Sequence, residues 1–452
     1  MENINFTKID ESVLFFIHFR NSIPKMYENK PKSVQIRSAI PNLHKFLDIF
    51  SYGGFSFFEV NMLIKRTLSD YIDETAKGFP VITISGPRQS GKSTFVKMKF
   101  PDYDYISLED PDMREYVSSD PRDFIQRYGN RVIIDEFQRV PELTSYLQRH
   151  IDEVNEPAMF ILTGSNQYEY LNTVSQSLAG RTVIFKLLPF SYNELYSGEI
   201  EYPDLYEIIV KGWYPRIFDK QLNYEEFYQS YFDTYIQRDI RNLLNIRDLN
   251  DFQRFVRLCA GRTGRIVNFS NISNEIGVNY KTIKGWISIL QASFIIDLVQ
   301  PYHRNFNKRI VKSPKMYFLD TGLACNLIGI HNAQQLSTHP LRGEIFETYA
   351  YSELLKLKNN TRISDQIYYY RDSHQNEIDF LMDGGYGLIP IEVKLNSTPK
   401  KALLKNIEYF NQLTENVHKN FLIYSGSENL HRYNSEIIGY PNIQDIGDLI
   451  SD

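Results

Sequence analysis

The stretch Gly86-Pro-Arg-Gln-Ser-Gly91-Lys92-Ser93 decides the fold of this chain. Its spacing matches the P-loop pattern, in which backbone N–H groups surround phosphate oxygens. An apolar run over 79–84 precedes the loop and predicts a buried strand, and helical apolar spacing over 94–100 follows it. Strand, glycine-containing loop and helix in this order predict a phosphate site at the N-terminus of that helix.

The residues of the loop have different expected roles. Lys92 is expected to reach the β- and γ-phosphates of ATP, and the Ser93 hydroxyl to bind Mg²⁺. ATP and Mg²⁺ are therefore the predicted cofactors. The nucleotide-contacting set covers the loop and the start of the helix: Gly86, Pro87, Arg88, Gln89, Ser90, Gly91, Lys92, Ser93 and Thr94.

Length and composition restrict the class of protein. The 452 residues suffice for roughly three domains of about 150 residues. Two cysteines cannot form a disulfide framework, which favours a reducing, cytoplasmic compartment. We expect no membrane partner, because no apolar run approaches the roughly 20 residues of a membrane span. We also expect no signal peptide, because the N-terminus lacks a basic start and a small-residue cleavage site. A net charge of −5 argues against a uniformly basic surface, but not against a local basic face.

From Met62 onward, strand and helix patterns alternate. Strongly apolar strands separated by helices predict an α/β fold with a parallel sheet covered on both faces. Ligands in such sheets bind beyond the carboxyl ends of the strands. The predicted strands are 79–84, 103–108, 131–136, 158–165 and 182–187, and the predicted helices are 120–128, 141–154 and 171–178.

Two acidic residues end the third of these strands. Asp135 and Glu136 follow four strand residues, and Asp135 comes 43 positions after Lys92. Hydrolysis of ATP needs a carboxylate that orients Mg²⁺ and a base that positions the attacking water. Asp135 suits the first role and Glu136 the second.

Further polar residues are candidates for contact with the γ-phosphate. Thr163 and Ser165 lie at the carboxyl end of the next predicted strand and Asn166 follows it, and Asn166 is the preferred candidate among them. Arg181 and Arg216 are candidates for stabilising charge in the transition state, although an arginine in such a place more often forms an ordinary salt bridge.

A different pattern begins after residue 258. Helical segments at 270–275 and 280–290, joined by a turn at Gly277, precede two strand patterns at 294–300 and 315–319, which together predict a winged helix-turn-helix. Between residues 261 and 315 there are nine Lys or Arg and two acids, a local charge of +7. Double-stranded DNA is therefore a candidate partner, against the alternative of protein contacts. The candidate DNA contacts are Lys281, Lys284, Arg304, Lys308 and Arg309.

The C-terminal part predicts a smaller α/β unit with a second acidic group. Asp379 and Glu392 lie on predicted neighbouring strands and are candidate metal ligands, and Lys394 points to the same side as Glu392 because strand side chains alternate. Glu347, on the preceding helix, is a third candidate acid. The alternative is ordinary surface charge on a small domain.

These patterns divide the chain into six segments. Residues 1–61 form an extension of unknown role, since a natural start appears at Met62. The remaining segments are a P-loop domain at 62–203, a helical lid or linker at 204–258, a winged helix at 259–325, a linker at 326–340 and an α/β domain at 341–452.

From Met62 to the end, the chain resembles a bacterial and archaeal family of P-loop ATPases that have an AAA-like domain and a C-terminal domain of the DUF4143 type. The resemblance implies an AAA-like fold, a winged helix and a domain similar to the PD-(D/E)xK nucleases. By this match, Lys92, Ser93, Asp135 and Glu136 are nucleotide residues, whereas Asp379, Glu392 and Lys394 match the nuclease motif. Besides the P-loop, it rests on Val132-Ile-Ile-Asp-Glu-Phe-Gln138, Ile161-Leu-Thr-Gly-Ser165, Ser177-Leu-Ala-Gly-Arg181, Leu188-Pro-Phe-Ser191, Tyr235-Ile-Gln-Arg-Asp-Ile240, Arg342-Gly-Glu-Ile-Phe-Glu347, Tyr370-Arg-Asp372, Glu377-Ile-Asp-Phe380 and Ile391-Glu-Val-Lys394.

Three functions are compatible with these features. The first is an ATPase that couples hydrolysis to its winged-helix and nuclease-like domains on DNA. The second is a metal-dependent DNA nuclease gated by ATP, and the third is a nucleotide-switched signalling or interaction protein that cuts no DNA. The sequence leaves the oligomeric state open, and a homo-oligomer with an arginine supplied by a neighbouring copy is one of the possibilities.

Overall fold

The computed structural model describes residues 60–164, 178–197, 202–235, 249–302, 313–361, 363, 365–385 and 387–451, together with two short strands at 14–17 and 34–37. Three strands, β1 (Leu14–Ile17), β2 (Val34–Arg37) and β3 (Val60–Leu63), pair antiparallel in the order β2-β1-β3. Because β3 crosses the boundary predicted after residue 61, the backbone on both sides of that boundary belongs to one sheet.

The P-loop domain is built on a parallel sheet. Its strands are β4 (Val81–Ser85), β5 (Asp104–Ser107), β6 (Val132–Asp135), β7 (Phe160–Gly164) and β8 (Thr182–Lys186). They lie in the order β5-β6-β7-β4-β8, and every neighbouring pair is parallel. The predicted α/β class and all of the predicted strands of this domain are confirmed.

Helices cover both faces of this sheet. Ile82 and Ile84 of β4 pack with Val96 on one face, whereas Val81 packs with Leu147 and Phe160 on the other. Two helices lie between β5 and β6, and the first of them, at 111–119, was not predicted. The Asp110 side chain caps this helix and Pro111 is its first residue. The predicted helix at 171–178 lies outside the described residues, apart from its last position. The helices are α1 (Leu68–Thr75), α2 (Lys92–Lys99), α3 (Pro111–Ser119), α4 (Pro121–Arg127) and α5 (Leu143–Val154).

Short helices lead from this domain to the winged helix. They are α6 (Tyr192–Tyr196), α7 (Leu205–Lys211), α8 (Pro215–Asp219), α9 (Tyr224–Tyr231) and α10 (Leu249–Ala260). The helix-turn-helix comprises α11 (Phe269–Ile276) and α12 (Tyr280–Ala292), and Gly277 ends the first of them with a φ of 86°. Strands β9 (Arg265–Ile266), β10 (Ile296–Val299) and β11 (Lys315–Phe318) form an antiparallel sheet in the order β10-β11-β9, so the predicted hairpin is present.

The segment 326–340 was wrongly predicted to be a linker. Helices α13 (Thr321–Leu327) and α14 (Ala333–Thr338) occupy much of it. Ile330 and Leu336 are buried in the same apolar core as Leu205 of α7. The polar composition of the segment concealed these few apolar residues, which tertiary contacts bury.

The C-terminal α/β domain begins with the helix α15 (Arg342–Asn360). Its strands lie in the order β12-β13-β14-β15-β17-β16, with β14, β15 and β17 parallel and the remaining pairs antiparallel. The predicted hairpin β12–β13 is therefore present. The elements are β12 (Gln366–Arg371), β13 (Glu377–Gly384), β14 (Gly387–Lys394), α16 (Lys405–Asn411), β15 (Phe421–Tyr424), β16 (Leu430–Arg432), β17 (Ser435–Gly439) and α17 (Ile446–Ser451).

One apolar core joins the three units. Trp213, between α7 and α8, stacks on Tyr349 of α15 with ring centroids 5.7 Å apart. Tyr192 of α6 meets Tyr440 of the α/β domain edge to face at 5.9 Å. In the described part of the chain, no helix combines the length and apolar character that crossing a membrane requires.

Candidate nucleotide-binding site

The P-loop lies between the end of β4 at Ser85 and the start of α2 at Lys92. A Cβ atom at Gly86 would overlap the carbonyl oxygen of Leu187, so this position requires glycine. Gly91 caps α2 in the left-handed region with a φ of 88°, which glycine adopts without steric cost. Both glycines of the motif are thus explained by the backbone path that the loop follows.

Lys92 is buried beneath its own loop. Its Nζ donates to the carbonyl oxygens of Gly86 at 2.9 Å and Pro87 at 2.8 Å. Burial lowers the pKa of Lys92 to about 8, against the opposing effect of the nearby Glu136 and Asp135 carboxylates. The ammonium remains mostly protonated at neutral pH and provides a positive charge inside the loop.

Asp135 accepts hydrogen bonds from one helix and two neighbouring strands. The Ser93 hydroxyl donates to its Oδ2 over 2.7 Å, and the hydroxyls of Tyr105 and Thr163 also donate to its carboxylate. The carboxylate is therefore fixed beside the hydroxyl at the start of α2. Oxygen donors of this kind suit Mg²⁺, so the residues present fit a magnesium ion held by Ser93 with Asp135 behind it.

Glu136 directly follows this carboxylate. Its backbone lies in the left-handed region with a φ of 54°, which re-aims the side chain as β6 ends. Its carboxylate accepts a hydrogen bond from Gln138, and burial raises its pKa above the usual range. A carboxylate with a raised pKa is a better proton acceptor, as a general base requires.

The other predicted residues of the site have different outcomes. Thr163 contacts Asp135, as described above, whereas Ser165 and Asn166 lie outside the described residues. Arg216 is exposed on α8. The first residue of α8, Pro215, packs close to Gly91 of the loop: a Cβ atom added to Gly91 would lie 3.6 Å from the Pro215 ring. The N-terminus of α8 is thus next to the loop.

Arg181 does not belong to this site within its own chain, and that prediction is wrong. It precedes β8, and its carbonyl accepts from Val81 at the start of β4, whereas the P-loop follows the other end of β4. Its guanidinium forms an ion pair with Asp152 at 2.6 Å. Because β4 and β8 are parallel, the two features lie at opposite edges of the sheet.

Arg66 supports the loop and was not predicted. Its buried guanidinium donates to the carbonyl oxygens of Ser90 at 3.1 Å and Leu188 at 2.5 Å. Its Nε lies 3.1 Å from the carboxylate of Glu194, which is also buried. No local motif marks Arg66, because its partners are 24 to 128 positions away along the chain.

The second predicted constellation converges in the α/β domain. Lys394 Nζ lies 3.0 Å from Asp379 Oδ2 and 2.5 Å from Glu392 Oε2, so the expected shared face is present. Burial raises the pKa of Glu392 to about 8, assisted by the charge of Asp379. Burial acts to raise the pKa of Asp379 as well, but Lys394 and Lys315 outweigh it and the net direction is down.

Glu347 joins the same cluster through Lys315, which was not predicted to be part of it. Lys315 Nζ lies 3.0 Å from Glu347 Oε1, and the Tyr317 hydroxyl donates to the same carboxylate. Burial raises the pKa of Glu347 to about 7. Among the described side chains, no group of three or more acidic, His or Cys residues is arranged to hold a metal ion. The predicted metal ligands Asp379 and Glu392 are instead paired with lysine ammonium groups.

The predicted DNA-contact residues are only partly described. Lys281 and Lys284 are exposed on α12, the second helix of the helix-turn-helix, whereas Arg304, Lys308 and Arg309 lie outside the described residues. Two further basic residues of the local charge excess are already neutralised, because Arg262 pairs with Glu275 and Arg265 pairs with Glu344.

Comparison with known families agrees with the geometry of the loop. Residues 78–196 match the family model of the AAA domain. The chain contains an AAA domain. Two domains of unknown function follow the AAA domain, DUF8612 at residues 202–334 and DUF4143 at residues 342–443. The resemblance that the motifs indicated is therefore confirmed for the AAA and DUF4143 parts.

Similar proteins occur in several bacteria. An uncharacterized protein of Mycobacterium tuberculosis is 25% identical over 325 residues, which is 71% of this chain and 71% of the relative. An uncharacterized protein of Haemophilus influenzae is 24% identical over 278 residues, or 54% of this chain and 68% of the relative.

Two solved structures show a distant likeness. The Walker-type ATPase of Pyrococcus abyssi aligns with a TM-score of 0.35 and 14% identity, over 59% of this chain and 96% of that one. A signal transduction ATPase with a tetratricopeptide repeat sensor from Pyrococcus horikoshii aligns with a TM-score of 0.22 and 15% identity, over 67% of this chain and 51% of that one.

Proposed function

We propose that the chain is an ATPase that binds ATP with Mg²⁺ at the P-loop and hydrolyses its γ-phosphate. The observation that carries this proposal is the contact of Ser93 with Asp135 at 2.7 Å, directly beside the buried Lys92. A loop that only binds phosphate does not need a carboxylate fixed against the first hydroxyl of the helix, whereas a magnesium-dependent hydrolase does.

Each residue has a defined part in this proposal. Lys92 supplies a positive charge to the phosphates, and its hydrogen bonds to loop carbonyls are exchanged for phosphate oxygens. Ser93 and Asp135 would hold Mg²⁺, which neutralises charge that develops on the phosphates. Glu136 orients a water molecule toward the γ-phosphate and accepts its proton, a role favoured by the raised pKa of its carboxylate.

A route of buried polar contacts supports coupling between the AAA domain and the C-terminal domain. Arg66 contacts the loop at Ser90 and pairs with Glu194 of α6. The backbone N–H of Tyr192, in the first turn of α6, donates to Glu353 of α15 over 3.0 Å. A change in the loop on hydrolysis can therefore reach the helix that carries Glu347.

The ATPase proposal is tested with Lys92→Ala in the full chain, by measuring phosphate release at saturating ATP and Mg²⁺. We expect turnover to fall by about 100-fold or more, since the loop loses its charge at the phosphates. Lys99→Ala is the matched control, because Lys99 lies on the same helix and pairs with Asp73, a largely exposed carboxylate away from the loop. Unchanged turnover in Lys92→Ala would remove the assignment of the site.

We further propose that the winged helix contacts the backbone of double-stranded DNA. The exposed positions of Lys281 and Lys284 on α12 support this. Changing both lysines to Glu is expected to weaken binding of duplex DNA and to lower the slope of log affinity against log salt by about 1.8. An unchanged slope would assign this surface to protein contacts instead.

A metal-dependent nuclease is the second candidate activity. The convergence of Asp379, Glu392 and Lys394 on one face favours it. The test is cleavage of a panel of DNA and RNA substrates in Mg²⁺ or Mn²⁺, with and without ATP, by the wild-type chain and by Asp379→Ala. Cleavage that survives Asp379→Ala would argue against this activity.

A further inference from the structure

Lys315 is the first residue of β11 in the winged-helix sheet, yet its side chain ends among acids of the α/β domain. Only 3% of the side chain is exposed. Its Nζ lies 3.0 Å from Glu347 Oε1, forms an ion pair with Glu377 and lies 4.0 Å from Asp379 Oδ1. One ammonium thus joins a strand of one unit to a helix and a strand of another.

The charges around this ammonium are nearly balanced. Lys394 pairs with the fourth carboxylate, Glu392, as well as with Asp379, and Arg371 pairs with Glu377 at 3.2 Å. The cluster therefore contains four carboxylates and three cations. The ring of Tyr369 lies 5.6 Å from Lys315 Nζ and closes one side of it.

A divalent metal ion and Lys315 compete for the same oxygens. Mg²⁺ or Ca²⁺ needs carboxylate oxygens within about 2.0–2.6 Å of one point. An ammonium group has three N–H donors and binds acceptor oxygens at hydrogen-bond distance. The carboxylates of Glu347 and Glu377 provide such oxygens to Lys315. The described acids do not form a metal-binding group in this arrangement, so the cluster as folded does not fit a metal ion.

We propose that Lys315 is a built-in counter-ion that takes the place of a divalent cation between Glu347, Glu377 and Asp379. While the winged-helix sheet packs against the α/β domain, this ammonium keeps metal ions out and holds any metal-dependent chemistry of the α/β domain inactive. Backbone hydrogen bonds also join the two units, since Tyr369 of β12 donates to Gln300, just after β10, and accepts from Tyr302. The proposal does not depend on the ATPase assignment.

The experiment is a titration of the full chain with Mn²⁺ in the absence of nucleotide, followed by electron paramagnetic resonance of the free ion. The wild type and Asp379→Asn are expected to bind Mn²⁺ equally, because Asp379 holds no metal ion while Lys315 is present. Lys315→Met is expected to gain one site, at least about tenfold tighter than any in the wild type, and adding Asp379→Asn is expected to abolish it. Lys281→Met is the control, because it is the same change at an exposed lysine of the winged helix.

A second variant covers the risk that Lys315→Met does not fold with its carboxylates left unpaired. Lys315→Met combined with Glu377→Gln removes one negative charge together with the positive one, and it is expected to gain a weaker Mn²⁺ site, because Glu347 and Asp379 keep their carboxylates. Folding is checked by circular dichroism and size-exclusion chromatography. Mn²⁺ binding in the wild type that Asp379→Asn removes would overturn the proposal, as would a folded Lys315 variant that binds no Mn²⁺.

Discussion

Arg66 provides a quantitative test of how the P-loop is supported. Its guanidinium and the carboxylate of Glu194 have exposed fractions of only 5% and 1%, and they lie 3.1 Å apart. Arg66→Met removes the positive charge and leaves Glu194 buried without it. Breaking a buried ion pair from one side costs about 3–5 kcal/mol, so the AAA domain is expected to lose stability on that scale.

The double variant separates the lost charge pair from the lost packing. Arg66→Met combined with Glu194→Gln no longer carries an uncompensated charge, so it is expected to recover about 1–3 kcal/mol relative to Arg66→Met alone. Arg149→Met is the control, because Arg149 is 76% exposed and its pair with Glu153 is worth less than about 0.5 kcal/mol.

Scanning calorimetry of the full chain is the assay, read at the transition that ATP shifts upward. At about 3 °C per kcal/mol, Arg66→Met is expected to lower this midpoint by roughly 10 °C, and the double variant by clearly less. If the double variant melts at or below the single variant, the buried charge of Glu194 is not what makes the loss of Arg66 costly.

Two further predictions concern nucleotide binding at the loop. Gly86→Ala forces a Cβ against the carbonyl of Leu187, so it is expected to weaken ATP binding at least tenfold, about 1.4 kcal/mol. Gly78→Ala is the control, because a Cβ there has no neighbour within 4 Å and ATP binding is expected to be normal. Equal affinities of the two variants in a fluorescent-nucleotide titration would contradict this prediction. Lys92 has a pKa of about 8, and a bound phosphate favours its protonated form. ATP affinity is therefore expected to fall as pH rises above 8, by up to about tenfold per pH unit. The same titration of Lys92→Ala should show no such pH dependence.

The parallel sheet and its site were predictable because their signals are local in sequence. Strands buried on both faces are continuous apolar runs, and Asp135 and Glu136 follow one of them directly. The order of elements then brings Asp135 to the P-loop at the same edge of the sheet. Helix α3 also has a local signal in the sequence, the Asp110 cap followed by Pro111.

The remaining features depend on contacts between distant segments. Lys315 and Glu347 are 32 positions apart and lie in different units, so nothing in their immediate sequence shows that they meet. Arg181 was placed at the nucleotide from its motif alone, although the direction of β8 carries it to the opposite edge of the sheet. In both cases the residue type indicates a charged group, but which groups it meets depends on the order and direction of the strands.

Glu136 is proposed to serve hydrolysis alone, whereas Lys92, Ser93 and Asp135 hold Mg·ATP as well as stabilising charge on its phosphates. The most direct test is to measure Mg·ATP affinity and turnover in Glu136→Gln, which preserves the shape and removes the base. We predict an affinity within about threefold of the wild type and a turnover at least about 100-fold lower, the usual contribution of a positioned base. Turnover within about threefold of the wild type in Glu136→Gln would contradict the account.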